Sequence, residues 1–336
     1  MHRQIQGITC ILHKIAGYVF LRCSNTSSWK KVQEYLPEKS RLTESCLPDE
    51  YFVGIGRFGI HIDHYRVKEP KARVILFHGV GGNGRLLSLI AVPLMKQGYE
   101  VICPDLPLYG MTEYYGKVVY QDWVDCAAEI VMYYQAREIR PTFLFGLSAG
   151  GILAYQTASG LPEIQGVIAT CLLDQREPLV RKSVVSSGWM AEHGLRLISK
   201  ASAWLGFIKV PVKWVGNMKA IVNHEELAEV LMRDRRSSGA KVPVAFLHTL
   251  LNPHIHPEPE RFSRCPVLLV HPENDRWTDA SLSRIFYDRL NCSKDMKLLK
   301  GAGHFPIEKE GLMHLEQYCV EFLEECLAQR LVSNCQ

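Results

Sequence analysis

The sequence contains no run of about 18 uncharged apolar residues, so it predicts no membrane-spanning helix. It also contains no internal repeat and no low-complexity tract. The 11 cysteines include no C-x-x-C pair, which is typical of free thiols in a reducing compartment and predicts a cytoplasmic protein. Hydrophobic residues make up 47% of the chain and charged residues 22%, which is the composition of a folded globular protein.

Excess charge is confined to the N-terminus. Residues 1–33 contain five basic residues and no acidic one, whereas the rest of the chain contains 34 basic and 35 acidic residues. The folded body therefore lacks the positive charge that nucleic-acid binding requires, and no nucleic-acid partner is expected. Three interpretations of residues 1–33 stay open: a basic amphipathic helix in peripheral contact with a membrane or with the body, an organelle-targeting segment, or a loosely docked extension.

Short apolar runs alternate with amphipathic stretches from Tyr51 onward. Residues 51–67 alternate in polarity and contain three glycines, which is typical of antiparallel strands with tight turns. Further strands are predicted at residues 73–78, 100–103, 142–145, 166–171, 266–270 and 296–299. Helices are predicted at residues 86–97, 118–137, 149–158, 279–290 and 312–331. This alternation predicts an α/β fold with a mostly parallel central sheet and helices on both faces.

The alternation stops between residues 175 and 262, which read as mostly helical. We therefore expect one core, formed by residues 51–174 and 263–331, with a helical cap inserted after its sixth strand. Residues 1–50 are predicted to form an N-terminal extension.

A candidate nucleophile lies in the motif Gly146-Leu147-Ser148-Ala149-Gly150. The motif stands between a predicted buried strand and a predicted helix, which is the setting of a nucleophile elbow. A strained turn there makes the serine hydroxyl project above the sheet, and small neighbours allow close backbone approach. Ser148 is therefore the predicted nucleophile.

A second glycine-rich segment, residues 78–82, follows an apolar strand upstream of the elbow. Reaction at an acyl carbon creates a negatively charged oxygen, which two convergent N–H groups can stabilise. We predict that the backbone N–H groups of Val80 and Ala149 form this oxyanion hole. His78 is predicted to be a structural histidine that hydrogen-bonds the loop.

The predicted general base is His304, in a glycine-bounded loop near the C-terminus. It would accept the serine proton and later donate it to the leaving group. Asp275 follows the predicted strand at residues 266–270 and is predicted to orient the imidazole. Three other carboxylates remain alternatives for that role: Glu273, Asp279 and Asp174.

The sequence resembles the α/β-hydrolase superfamily and, within it, the monoglyceride lipase, lysophospholipase and serine aminopeptidase-like group. The resemblance covers about residues 51–328 and is carried by the segments HGVGGNG (78–84), PDLPLYGMT (104–112), GLSAG (146–150), HPENDRW (271–277) and GAGHFP (301–306). It implies the chain order Ser, Asp, His for the catalytic residues. No cofactor is expected, and no metal either, because the pair His254 and His256 lacks partners at metal-ligand spacing.

The predicted function is a serine hydrolase that cleaves carboxylic esters of lipid-like or other hydrophobic acyl groups. The predicted cap contains large apolar residues, which favours such a substrate unless they form the cap's own core: Trp189, Trp204, Phe207, Trp214, Met218, Met232 and Phe246. A thioesterase, an amidase or an acyltransferase is the alternative, because all of them use an acyl-enzyme intermediate. A non-catalytic binding protein on the same scaffold is a third reading. The sequence does not predict the oligomeric state.

Overall fold

The computed structural model describes residues 27–334. Most of the segment for which membrane contact or organelle targeting is predicted, residues 1–26, lies outside the described residues. No helix between residues 27 and 334 is both long enough and apolar enough to cross a bilayer.

The described residues form a nine-stranded sheet and a separate two-stranded sheet. The strands are β1 (Asp49–Ile55), β2 (Phe58–Tyr65), β3 (Arg73–Phe77), β4 (Glu100–Pro104), β5 (Glu113–Tyr114), β6 (Thr142–Gly146), β7 (Ile164–Ala169), β8 (Lys209–Pro211), β9 (Lys241–Pro243), β10 (Val267–Pro272) and β11 (Lys294–Leu299). The large sheet has the order β1-β2-β4-β3-β6-β7-β10-β11, with β5 paired to β2. β8 and β9 pair with each other.

Every neighbouring pair from β4 to β11 along this order is parallel. β2 is antiparallel to both β1 and β4. The central strands β3 and β6 are buried along their whole length, which explains their unbroken apolar sequence in place of an alternating one.

The helices connect these strands and cover the sheet. They are α1 (Ser27–Tyr35), α2 (Ser88–Lys96), α3 (Tyr120–Arg137), α4 (Ala149–Gly160), α5 (Pro178–Val184), α6 (Leu195–Leu205), α7 (Val212–Val215), α8 (Glu225–Arg233), α9 (Val244–Leu251), α10 (Ala280–Tyr287) and α11 (Lys309–Asn334). α2 packs against α11, and α3 packs against α4. The two crossovers β3-α2-β4 and β4-α3-β6 run in opposite directions along the sheet, so right-handed connections place α2 and α3 on opposite faces.

The parallel strands bring the predicted site residues to one edge of the sheet. His78 follows β3, Ser148 follows β6, Asp275 follows β10 and His304 follows β11. Because the carboxyl ends of parallel strands share an edge, side chains that are far apart in sequence meet there.

Three boundaries differ from the sequence predictions. β1 begins at Asp49, inside the predicted extension, because it pairs with β2 over seven residues. The two-residue strand β5 lies between the predicted strand at residues 100–103 and the predicted helix at residues 118–137, where no strand is predicted, so seven strands precede the insertion where six are predicted. The insertion also contains the β8–β9 sheet, whose three-residue strands are too short to show an apolar alternation.

The described part of the N-terminal extension packs on both the core and the insertion. Trp29, Val32 and Leu36 are buried in the main hydrophobic core. α1 packs against α8 of the insertion, and the Tyr35 hydroxyl donates to Glu226 Oε2 over 3.2 Å. Residues 27–50 are therefore an integral part of the fold.

Candidate active site

Ser148 occupies a strained turn between β6 and α4. Its backbone angles are φ 55° and ψ −123°, a region that residues other than glycine rarely adopt. A Cβ atom at Gly146 would collide with the carbonyl oxygen of Gly150, so the tight turn requires glycine there. The Ser148 N–H donates to Thr170 Oγ1 at 3.0 Å, which fixes the turn to the segment after β7.

The structure brings Ser148, His304 and Asp275 into one chain of hydrogen bonds. Ser148 Oγ lies 2.8 Å from His304 Nε2, and His304 Nδ1 lies 2.8 Å from Asp275 Oδ2. The His304 and Asp275 side chains are almost completely buried. This is the geometry in which an imidazole can accept a hydroxyl proton while a carboxylate stabilises the resulting cation.

Four donors meet the Asp275 carboxylate. Oδ1 accepts from the backbone N–H groups of Trp277 at 2.8 Å and Thr278 at 2.9 Å, and Oδ2 accepts from Thr278 Oγ1 at 2.9 Å as well as from His304. Burial raises the pKa of the Asp275 carboxyl, but the charge and hydrogen bond of His304 and the two N–H donors outweigh burial and lower this pKa below its usual value. Asp275 is therefore ionised near neutral pH.

The three alternative acids have other partners. Asp174 is held by the Arg176 guanidinium at 2.7 Å. Glu273 is exposed and accepts from the Gly301 N–H at 3.0 Å, while Asp279 caps α10 through the Ser281 N–H. Among these four carboxylates of the described chain, Asp275 is the one that hydrogen-bonds His304.

The glycine loop after β3 lies directly against the elbow. A Cβ atom at Gly79 would stand 2.9 Å from the Ser148 Cβ and 3.2 Å from the Ala149 nitrogen, so only glycine permits this approach. The loop therefore places Val80 beside Ala149, and both residues line the cavity that contains Ser148.

His78 holds this loop as a neutral side chain. Its Nε2 accepts from the Leu106 N–H at 2.9 Å, so its Nδ1 carries the proton and donates to the Gly79 carbonyl at 2.7 Å. Burial lowers the pKa of His78 to about 4.

A buried charged network supports the far end of the loop. The Asp105 carboxylate accepts from the Gly84 N–H at 2.6 Å and from the Met111 N–H at 2.7 Å, and it lies 2.9 Å from His61 Nδ1. Burial alone would lower the pKa of His61, but hydrogen bonds with Asp105 and Glu50 raise it to about 10. The His61 imidazolium therefore balances buried carboxylate charge beneath the loop.

An apolar cavity of about 770 Å³, including its part open to solvent, contains the Ser148 and His304 side chains. The core contributes Ile152, Leu173 and Trp277 to its wall. The insertion contributes Val184, Val185, Val212, Val215, Met218, Leu247, Leu250 and Leu251. No residue that lines this cavity in the described chain is acidic or basic, apart from His304.

The seven large apolar residues named for the insertion differ in burial, and Met232 is partly buried against the main core. Met218 and Phe246 are buried, whereas four aromatic side chains are mostly exposed: Trp189, Trp204, Phe207 and Trp214. Both sequence interpretations, a substrate-facing lining or the insertion's own core, are wrong for these four residues.

Sequence reasoning missed the residues that hold Asp275 and His304. Trp277 lies against the imidazole with ring centroids 4.8 Å apart, and Thr278 donates to Asp275. The signal was their position two and three residues after an aspartate, where backbone N–H groups commonly turn back to the carboxylate.

Two clusters of metal-type ligands occur within residues 27–334, and neither suits an ion. In the first, His304 and Asp275 already bond each other, and burial raises the pKa of the neighbouring Cys171 thiol. In the second, formed by Glu50, His61 and Asp63, the cation is supplied by the protein itself: the Arg85 guanidinium lies 2.7 Å from Asp63 and 2.8 Å from Glu50.

The strand order, the crossovers and the turn at Ser148 define an α/β-hydrolase fold. A family model described as serine aminopeptidase, S33, matches residues 68–310, which is more than half of the chain. The chain belongs to this family and is a hydrolase. The predicted fold class and the resemblance to the monoglyceride lipase-like group are thus confirmed. A search of curated protein sequences gave no significant match.

Solved structures share the fold at low sequence identity. A monoglyceride lipase from Saccharomyces cerevisiae superposes with a TM-score of 0.70 at 17% identity, covering 87% of this chain and 98% of the lipase chain. A monoacylglycerol lipase from Paleococcus ferrophilus gives a TM-score of 0.61 at 20% identity, covering 80% and 99%. The thioesterase domain from the curacin biosynthetic pathway gives 0.56 at 17% identity, covering 81% and 99%. At these identities the likeness shows the fold alone.

Proposed function

We propose that the protein is a serine hydrolase that cleaves carboxylic esters of hydrophobic acyl groups. The observation that carries the proposal is the hydrogen-bonded chain from Ser148 through His304 to Asp275, placed at the wall of an apolar cavity. Such a chain activates a hydroxyl for attack on an acyl carbon, and an apolar cavity favours a hydrophobic acyl group.

In the proposed first step, Ser148 Oγ attacks the ester carbonyl while its proton passes to His304 Nε2. The resulting oxyanion accepts hydrogen bonds from the backbone N–H groups of Val80 and Ala149, each worth about 3 kcal/mol of barrier. The contact of Gly79 with the elbow supports this assignment, because it sets the loop beside the start of α4. The ionised Asp275 stabilises the imidazolium that forms.

The intermediate then collapses, and His304 donates its proton to the leaving alcohol. The acyl group remains on Ser148 as an ester. Water enters, His304 accepts one of its protons, and the hydroxide attacks the acyl carbon. Release of the carboxylic acid returns the proton to Ser148 Oγ and regenerates the site.

The insertion, residues 175–262, is proposed to act as the cap that selects the substrate. Eight of its apolar side chains face the cavity that contains the nucleophile. This lining also favours esters over peptides with a free amino terminus, because no lining carboxylate in the described chain could bind an ammonium group. A cytoplasmic location remains a proposal from the cysteine pattern.

The test is hydrolysis of an ester panel of graded acyl length by wild type and by Ser148→Ala. We expect kcat/KM to rise with acyl length until the cavity is filled, and to vanish in the variant. Parallel thioester, anilide and aminoacyl-amide substrates separate the ester hydrolase from a thioesterase, an amidase or an aminopeptidase. Preference for any of these over the matched ester would contradict the proposed substrate class.

A further inference from the structure

Four aromatic side chains of the insertion stand in solvent. The exposed fractions are 59% for Trp189, 86% for Trp204, 73% for Phe207 and 63% for Trp214. Soluble surfaces rarely collect large aromatic groups in this way, so such a concentration marks an interaction site. The segment that carries them, residues 189–214, is here called the aromatic surface.

Backbone hydrogen bonds hold this surface on ordered elements. The Ser186 N–H donates to the Val215 carbonyl and its Oγ donates to the Trp214 carbonyl, both at 2.7 Å, which places the segment leading to Trp189 beside Trp214. The Ile208 N–H donates to the Leu205 carbonyl at 2.9 Å and closes the turn between Trp204 and Phe207. These hydrogen bonds therefore hold the backbone that carries the four exposed aromatic side chains.

The aromatic surface lies within a basic segment of the folded body, residues 179–219. Residues 179–219 contain seven lysines and arginines and one acidic residue, a net charge of +6. Because residues 34–336 together carry −1, the residues outside 179–219 carry −7. Exposed lysines lie among the aromatic groups, notably Lys200, Lys209 and Lys213. Their charges attract an anionic partner and orient the molecule towards it.

The charge pattern selects among the occupants of this surface. A second copy would bring two basic segments together, each with a net charge of +6 over residues 179–219, which opposes self-association. Residues 1–33 carry +5 and are repelled in the same way. Exposed Trp and Phe with interspersed Lys and Arg, in contrast, match the headgroup region of an anionic bilayer.

We propose that the aromatic surface docks the protein on an anionic lipid bilayer. The docked face borders the cavity, since the single turn α7 exposes Lys213 and Trp214 while its Val212 and Val215 line the cavity wall. Binding to the bilayer through this surface does not depend on the proposed ester hydrolysis.

The test is co-sedimentation of the full chain with vesicles of phosphatidylcholine alone or with about one-third phosphatidylglycerol. All proteins carry Ser148→Ala, so hydrolysis cannot alter the vesicles. We expect binding to the anionic vesicles only, and weaker binding at about 0.5 M than at about 0.05 M salt. Lys200→Glu with Lys213→Glu should weaken the partition by about 30-fold or more, and Trp204→Ser with Phe207→Ser by at least about tenfold.

Control variants make comparable changes, of basic and of exposed apolar residues, at the amino ends of the strands, opposite Ser148. Lys68→Glu with Arg264→Glu makes the same charge change at exposed positions before β3 and β10. Ile139→Ser removes an apolar side chain that is 90% exposed before β6. These controls should bind within about twofold of the parent, as expected for surface changes outside the docking face.

Three results would overturn the proposal. The parent protein could fail to bind anionic vesicles, or the surface variants could bind as tightly as the controls. A dimer in sedimentation velocity that Trp204→Ser with Phe207→Ser abolishes, without any vesicle binding, would assign the surface to a second copy. Unchanged circular dichroism of the variants excludes unfolding as the cause of lost binding.

Discussion

Replacing Asp275 by asparagine changes one atom in the proposed site, and the structure determines which way the new amide must face. Oδ1 of Asp275 accepts from two backbone N–H groups, those of Trp277 and Thr278. Oδ2 faces His304 Nδ1 and Thr278 Oγ1. An asparagine therefore has one orientation in which every group has a partner: its oxygen towards the two N–H groups and its NH₂ towards His304 and Thr278.

The reverse orientation would set the NH₂ against two N–H donors. Leaving a buried donor unpaired costs about 1–3 kcal/mol, so two such donors disfavour this orientation by at least about 2 kcal/mol, roughly 30-fold. In the favoured orientation the amide donates to His304 Nδ1, which forces the imidazole proton onto Nε2. An Nε2 that carries its proton cannot accept one from Ser148, and turnover should fall by about four orders of magnitude.

The assay is steady-state hydrolysis of a short soluble ester, with circular dichroism to verify folding. Asp174→Asn is the matched control, because Asp174 is a buried carboxylate of the same type whose guanidinium partner Arg176 also binds Glu258. This control should retain activity within about threefold, as should Glu273→Gln. The reasoning would be refuted by Asp275→Asn keeping more than about one-tenth of wild-type turnover, or by Asp174→Asn losing as much.

Three further predictions address the nucleophile, a buried charge and the cavity wall. Ser148→Ala should lower turnover by about six orders of magnitude and abolish fluorophosphonate labelling with an unchanged dichroism spectrum; labelling that persists would place the nucleophile elsewhere. His61 has its folded pKa raised from 6.5 to about 10, so its contribution to stability is complete below pH 6.5 and is lost as the pH rises towards 10. The unfolding free energy from urea titrations should fall with rising pH in wild type and fall less in His61→Asn. Equal dependence of the unfolding free energy on pH in the two proteins would contradict this prediction. Gln175 Oε1 is buried in the cavity wall and accepts from no donor among residues 27–334, so Gln175→Leu should raise the unfolding free energy by about 1 kcal/mol; a lower urea midpoint would argue against this.

The parts of the site that depend on local sequence could be predicted, because each has a local signature. A strand, a G-x-S-x-G turn and a helix in succession predict the elbow around Ser148 with no knowledge of the rest of the chain. The glycine loop after β3 and the glycine-bounded loop around His304 are recognised in the same way. Parallel strands then bring these loops to one edge of the sheet, which the alternation of strands and helices already implies.

The identity of the acid could not be decided in this way. Glu273, Asp275 and Asp279 all follow β10 and reach the same edge of the sheet. The turn formed by Trp277 and Thr278 directs Asp275 towards His304 and leaves Glu273 outside, and this depends on backbone dihedral angles that residue spacing does not fix.

The exposed aromatic surface was missed for a different reason. The net charge of residues 34–336 is only −1, because the +6 of residues 179–219 is offset by −7 on the other residues of this range. The same Trp and Phe residues also suit a cavity lining, a core or an exposed surface. The packing of the folded chain decides which of these Trp and Phe side chains face solvent, and the sequence alone does not fix that packing.

Different interactions hold the two halves of the proposed oxyanion hole. Ala149 is fixed by contacts between uncharged backbone groups, since Gly146 meets Gly150 and Gly79 meets the elbow without room for a Cβ atom. The far end of the loop that carries Val80 is fixed by the Asp105 carboxylate, whose buried charge is balanced by the His61 imidazolium. Close packing does not respond to pH, whereas a buried ion pair weakens when either partner loses its charge. The alignment of the two N–H groups is therefore more sensitive to alkaline pH on the Val80 side than on the Ala149 side.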